Sequence, residues 1–162
     1  MAKVMLICGK ICSGKTTYAQ RLRREHRAVL LSCDEITLAL FDQHIGEQHD
    51  VIVERTQNYL FNKSLEILKS GINVILDWGF WMHEERDLAR EFYRSHEIDC
   101  EFHYVDVSNA VWQANLIKRN RAILDKQTSA YYVDEGLARK FEKLFEMPSR
   151  DEINVWFQND WI

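Results

Sequence analysis

Apolar residues along this 162-residue chain come in short runs separated by amphipathic stretches, and the alternation predicts an ordered succession of strands and helices. Five runs, residues 4–8, 28–32, 73–77, 101–107 and 153–158, read as short strands. The segments between them carry apolar residues at helical spacing. Residues 16–25 follow the first run directly. Leu60, Phe61, Leu65 and Leu68 fall on one side of a helix ending at Gly71, a residue type suited to the turn past a helix terminus. Leu88 and Phe92 are one turn apart, as are Trp112 and Leu116, and Leu137, Phe141, Leu144 and Phe145 form a further stripe.

Strands separated by helices imply crossover connections, hence a mainly parallel sheet covered on both faces. The expected fold class is therefore α/β, a three-layer αβα arrangement around a five-stranded parallel sheet. Ligands of such sheets bind beyond the carboxyl ends of the strands, so chemistry is expected in the residues just after each run. Pro148 is the only proline and glycines number six, with no repeat or linker, so a single domain over residues 1–162 is expected.

Composition narrows the setting. Hydrophobic residues at 46% and charged residues at 28% exclude a disordered chain. A net charge of −4 and a pI near 5.9 oppose a surface built to coat nucleic acid, although a local basic channel is compatible with them. Cys8, Cys12, Cys33 and Cys100 form no C-x-x-C pair, so neither a disulfide framework nor a zinc site is expected. Residues 4–8 are too few for a membrane span or a signal segment, and a reducing cytoplasm without membrane attachment is the expected location. His26, His44, His49, His83, His96 and His103 lack metal-ligand spacing and read as surface or packing residues.

The strongest motif follows the first run: Gly9, Lys10, Ile11, Cys12, Ser13, Gly14, Lys15 and Thr16 spell a complete G-x-x-x-x-G-K-T. Its glycines let the backbone wrap phosphate oxygens, with amides and the start of the next helix pointing at the anion. Lys15 is expected to reach the β- and γ-phosphates and Thr16 to ligate Mg²⁺; the phosphate-binding set runs on to Thr17. An N-K-x-D segment, the usual companion of GTP preference, is absent, so ATP is the expected nucleotide.

Acids stand at the other strand ends. Asp34 follows the second run and is either a helix N-cap or the group that orients and deprotonates an acceptor hydroxyl. Asp77 closes the third run; it would hold Mg²⁺ or contact the acceptor, or merely cap the turn at Trp78 and Gly79. Asp106 reads as structural. The aromatic residues of 78–81 (Trp78, Phe80 and Trp81) either wall the acceptor pocket or pack under the neighbouring helix. Lys118, Arg119, Asn120 and Arg121, with Lys126 beyond, form a candidate lid in which Arg119 or Arg121 offsets charge on the transferring phosphoryl group. Arg21, Arg23, Arg24 and Arg27 read as a solvated face.

Taken in order, these segments resemble the small P-loop kinases of the AAA_33 type, a group similar to the kinase domain of polynucleotide kinases, to chloramphenicol phosphotransferase and to zeta-toxin-like kinases. Besides the loop and Ser32-Cys33-Asp34, the resemblance rests on Val74 through Trp81 and on His103 through Val107. Lys118-Arg119-Asn120 extend it, as does an F-E-x-P-x-x-x-E segment from Phe145 to Glu152. It implies a sheet ordered 2-3-1-4-5, an acceptor-shaping region over about residues 35–70 and a lid over about 118–134. Polynucleotide kinases place a general-base Asp where Asp34 stands and a phosphate-binding Arg three residues later; here that residue is Thr37. The expected activity is ATP-dependent phosphotransfer to a hydroxyl of an unidentified small-molecule acceptor. A nucleoside, nucleotide or nucleic-acid 5′-end kinase is the rival enzyme reading, disfavoured by Thr37 and the acidic pI. An ATP-binding switch without transfer is the rival from another class.

Overall fold

The first apolar run becomes the innermost strand because no position in it tolerates water. β1 (Val4–Cys8) is buried along its whole length, which requires cover on both faces. The computed structural model describes residues 1–42, 45–128, 130 and 132–160. His44 of the polar 35–70 stretch, and Ser129 and Tyr131 of the expected lid, lie outside the described residues. After β1 come α1 (Lys15–His26), β2 (Val29–Leu31), α2 (Cys33–Phe41), α3 (His49–Lys69) and β3 (Val74–Gly79). α4 (His83–Ser95), β4 (Cys100–Val107), α5 (Asn109–Leu124), α6 (Glu135–Leu144) and β5 (Val155–Asn159) complete the order. The five strands form one sheet, β2-β3-β1-β4-β5, with every neighbouring pair parallel. This is the order that the resemblance implies.

Alternation along the strands sorts the core into two faces. Met5, Ile7, Ile75 and Val105 pack with Tyr18, Ala19 and Leu22 of α1. Val4, Leu6, Val74, Leu76, Phe102 and Tyr104 pack on the other face with Leu65 and Leu68 of α3 and Ala89 and Tyr93 of α4. Burial of each large apolar side chain here contributes roughly 1.5–3 kcal/mol. A third cluster joins Val111 and Trp112 of α5, Ala138 of α6 and Val133 just before it to Ile11 and Cys12 in the loop after β1. Among the described residues no helix is long and apolar enough to cross a membrane.

The structure departs from the sequence expectation mainly at element ends. α3 begins at His49 and runs 21 residues, well before the apolar stripe at Leu60. β3 continues past Asp77 through Trp78 and Gly79, and its register with β1 shifts there, so that Trp78 is the extra residue of a bulge. Leu40 and Phe41, in the last turn of α2, are 70% and 44% exposed. Asp106 is structural as expected, accepting from Tyr104 Oη at 3.3 Å and from Trp156 Nε1 at 3.1 Å.

One charged side chain is fully enclosed. Arg86 on α4 has no exposed surface, and such a cation persists only where it is paired and hydrogen-bonded. Its Nε donates to Glu152 Oε1 at 3.1 Å, and its Nη1 donates to the carbonyls of Phe80 and Trp81 at 2.9 and 3.1 Å. Glu152 also accepts from the Ser149 amide at 2.7 Å. Desolvation works against its charge, but the Ser149 amide, His83 and Arg86 hold its pKa down at about 2. The Phe145-to-Glu152 segment thus folds around Arg86. Replacing Glu152 by Gln strands that cation, and the expected loss at neutral pH is roughly 3–5 kcal/mol of stability. A carboxylate with a depressed pKa stabilises the fold above its unfolded value, here 4.5, and loses that contribution as pH falls toward 2. Urea denaturation should therefore show a wild-type advantage over Glu152→Gln that is full at pH 7 and shrinks steadily below pH ~4.5.

Candidate nucleotide site

The loop between β1 and α1 is shaped by what happens to its carbonyl groups. Each carbonyl from residue 9 to residue 13 accepts a hydrogen bond from a side chain. Gly9 O accepts from Trp81 Nε1 at 3.1 Å, Lys10 O from Lys15 Nζ at 2.7 Å and Ile11 O from Trp112 Nε1 at 2.6 Å. Cys12 O accepts from Asn115 Nδ2 at 3.2 Å and Ser13 O from Asn159 Nδ2 at 2.8 Å. Gly9 N and Ser13 N donate within the protein, to Gly79 O at 3.0 Å and Lys10 O at 3.2 Å, and with the carbonyls held by side chains the amides between them are left for a ligand. α1 has Gly14 at its N-cap position, with no side-chain cap and no acidic residue in its first turn. Its leading N–H groups, without intrahelical partners, carry the positive end of the helix dipole. Such an arrangement is a cradle for phosphate.

Two details fix the loop. Gly14 has φ +93, and a Cβ there would collide with the Asn159 amide that holds Ser13, so glycine is required by conformation and by space. Ser13 is fully buried, yet its hydroxyl has no protein partner among the described residues. A buried orphan hydroxyl beside a phosphate loop is a donor waiting for an acceptor oxygen.

The charged residues converge on the same point. Thr16 Oγ1 donates to Asp77 Oδ2 at 3.0 Å. Burial lowers the pKa of Lys15, and the charges of Asp77 and Asp34 pull it back up. Burial likewise raises the pKa of Asp77, opposed by Lys15 and the Thr16 hydroxyl. Asp34 is exposed in the first turn of α2, and the N-cap role belongs to Ser32, whose hydroxyl accepts from the Glu35 amide at 3.3 Å. Asp34 is thus not committed as a cap. Thr16 and Asp77 offer two hard oxygen ligands side by side, the set that suits Mg²⁺, which draws its remaining ligands from water and phosphate. No group of three or more His, Cys, Asp or Glu that could hold a metal occurs among the described residues.

The two candidate lid arginines separate. Arg119 Nη1 lies 3.6 Å from Cys12 Sγ, and its Nε is buried without a partner among the described residues. Arg121 points to solvent, its side chain 84% exposed and paired with Asp125 at 4.0 Å. Lys118 and Lys126 are exposed. The 78–81 aromatics divide as well: Phe80 is core, Trp81 holds Gly9, and Trp78 stays half-exposed. Thr17 is exposed beside Thr16. Cys8 is inert packing, its thiol pushed up to about 12 by burial. Trp112, Asn115, Asn159 and Arg86 support the loop without a motif to mark them, whereas Glu152 closes the F-E-x-P-x-x-x-E segment. The spacing of Trp112, Asn115 and Arg119 does place all three on one face of α5.

A parallel sheet of this order with a phosphate cradle after β1 defines a nucleotide-binding P-loop protein with a kinase-like fold. Residues 4–146 match the AAA_33 family, an AAA domain, and the chain belongs to that family. No curated protein matches the sequence. Solved structures share the fold over almost the whole chain. The adenosine phosphosulfate (APS) kinase of Mycobacterium tuberculosis, in complex with AMPPNP and APS, superposes with a TM-score of 0.69 at 15% identity. That match covers 99% of this chain and 90% of the other. A gluconokinase from Sinorhizobium meliloti 1021 gives 0.66 at 14% identity over 99% and 84%. Chaetomium thermophilum Kti12, in complex with ADP-AlF3, gives 0.70 at 15% identity over 98% and 89%.

If the indole donors shape the cradle, Trp112→Phe should keep the core but release the Ile11 carbonyl. One neutral hydrogen bond is worth about 1 kcal/mol, so calorimetry should find ATP affinity reduced roughly three- to tenfold with little change in thermal stability.

Proposed function

We propose that the protein is an ATP-dependent phosphotransferase that moves the γ-phosphate onto a hydroxyl of a small molecule. The observation that carries this reading is the placement of Asp34, an uncommitted carboxylate whose charge reaches Lys15 and Asp77 at the phosphate cradle. Transfer to a hydroxyl calls for an acid there to orient and deprotonate the acceptor.

In this reading the loop amides, Ser13 and Lys15 hold the β- and γ-phosphates. Thr16 and Asp77 would hold Mg²⁺, which would neutralise charge on the phosphate oxygens. Asp34 accepts the proton of the acceptor hydroxyl as its oxygen bonds to the γ-phosphorus and the bond to ADP breaks. Arg119 is the cation that offsets charge on the moving phosphoryl group, because it lies against the loop while Arg121 does not. Residues 35–70 shape the acceptor site and residues 118–134 act as the lid within a single domain. Thr37, where polynucleotide kinases carry a phosphate-binding Arg, is buried, and its hydroxyl donates to the Asp34 carbonyl at 3.2 Å. This supports a small acceptor over a nucleic-acid 5′ end. The free thiols of Cys8, Cys12, Cys33 and Cys100 fit a reducing cytoplasm.

Labelled γ-phosphate transfer to a panel of sugars, amino alcohols, nucleosides and oligonucleotide ends tests the proposal. Asp34→Asn should bind ATP nearly as wild type but lose about 10²–10⁴ in turnover, the usual worth of a general base. Arg119→Ala should lose turnover comparably and Arg121→Ala should not. Near-wild-type turnover in Asp34→Asn would remove the assigned base, and transfer to oligonucleotide ends alone would favour the rival kinase reading.

A further inference from the structure

The kinase reading leaves the acceptor unnamed, and a cleft on the α3/α4 side of the sheet constrains it. A cavity of about 370 Å³ opens between α3, the end of β3 and α4, lined by Glu54, Gln57, Phe61, Trp78, Glu85 and Phe92 among others. That volume suits a small organic molecule. Its position is set by topology. α3 ends just before β3 enters the sheet and α4 starts just after β3 leaves it. The early residues of both helices therefore stand at the carboxyl end of the strands, the end at which the phosphate loop lies.

Three features of this cleft belong to a ligand site better than to packing. First, Trp78 is the bulge residue of β3, immediately after Asp77, and bulges near active sites re-aim a side chain. Second, Trp81, Trp112 and Trp156 each spend their indole N–H on a protein acceptor. Trp78 has no such bond among the described residues, and its ring is held by Phe61, edge-on at 5.3 Å, and by Phe80 at 5.2 Å. It offers a fixed aromatic wall with a free donor. Third, the charge is one-sided. Glu54 and Glu85 line the cleft, and among the described residues no Lys, Arg or His does. Glu85 spends one oxygen on the Met82 amide at 3.0 Å, while Glu54 has no hydrogen bond or ion pair among the described residues.

An anionic acceptor would meet two carboxylates there and, among the described residues, no counter-charge, and like charges facing each other in a cleft are excluded strongly. A cation gains from the carboxylates and from the ring faces alike. Resting on the kinase reading, we infer that this cleft is the acceptor pocket and that the acceptor is a hydroxylated amine with a flat apolar face. Its ammonium pairs with Glu54, its apolar body lies on Trp78, and the indole N–H marks where a polar substituent is met.

Three compounds sharing a phenyl ring and a benzylic hydroxyl test the assignment: phenylethanolamine as the cation, styrene glycol as the neutral member and mandelate as the anion. Binding is followed at the Trp78 indole N–H resonance, identified by its loss in Trp78→Phe. The expected order is cation, then neutral, then anion, with at least about tenfold between the first and last. Glu54→Gln, at an exposed helix position, should bring the cation close to the neutral compound. Mandelate binding as tightly as phenylethanolamine, or no shift with any compound up to about 10 mM, would overturn the assignment. ADP release from ATP in the same samples reports transfer independently. Correct ordering without ADP release keeps the cleft and counts against the kinase reading, whereas ADP release with the order reversed keeps the kinase and removes the cleft.

Discussion

Five successive peptide carbonyls held by side-chain donors are the constraint on which the rest of this molecule depends. A loop of eight residues has no reason of its own to present its amides to a polyanion. Trp81 after β3, Trp112 and Asn115 on α5, Asn159 at the end of β5 and Lys15 on α1 impose that arrangement together. The donors come from elements far apart in sequence, so the cradle exists only when the sheet is complete. The same logic explains why a cation is enclosed at Arg86. Its bonds to the Phe80 and Trp81 carbonyls fix the turn that delivers the Trp81 indole to Gly9, and Glu152 supplies the charge that lets it stay buried.

Electrostatics extend this economy. Lys15 and Asp77 each have their charged form disfavoured by burial and supported by the other. Coupled in this way, the pair stays in register with the Thr16 hydroxyl, and a phosphate with its metal would enter a site already aligned. The charge of Asp34 acts on both members of the pair, and Arg119 approaches the loop from α5. The four residues come from four different elements meeting at one end of the sheet, where a parallel α/β fold concentrates its chemistry.

The class of fold and the phosphate loop were legible because each is encoded locally. β1 is a continuous apolar run because it is central, and the Gly–Lys–Thr spacing is demanded by phosphate geometry. Sheet order came through resemblance, since nothing local in β2 or β4 specifies which strand it joins. The supporting shell was not legible, for a physical reason. Asn115 and Asn159 are ordinary polar residues until tertiary structure sets them 3.2 and 2.8 Å from a carbonyl. Trp112 reads as a core residue, which it also is. Arg119 and Arg121 were indistinguishable in a basic stretch, and only the phase of α5 turns one to Cys12 and the other to solvent.

The central claim is that affinity resides in a cradle built for the terminal phosphates of a nucleotide. Calorimetric titration of ATP, ADP, AMP and adenosine, each with and without Mg²⁺, measures this directly. The account predicts that ATP and ADP bind at least about tenfold more tightly than AMP and adenosine, with Mg²⁺ strengthening ATP further. Equal affinity across the four, or binding indifferent to the β-phosphate, would contradict it.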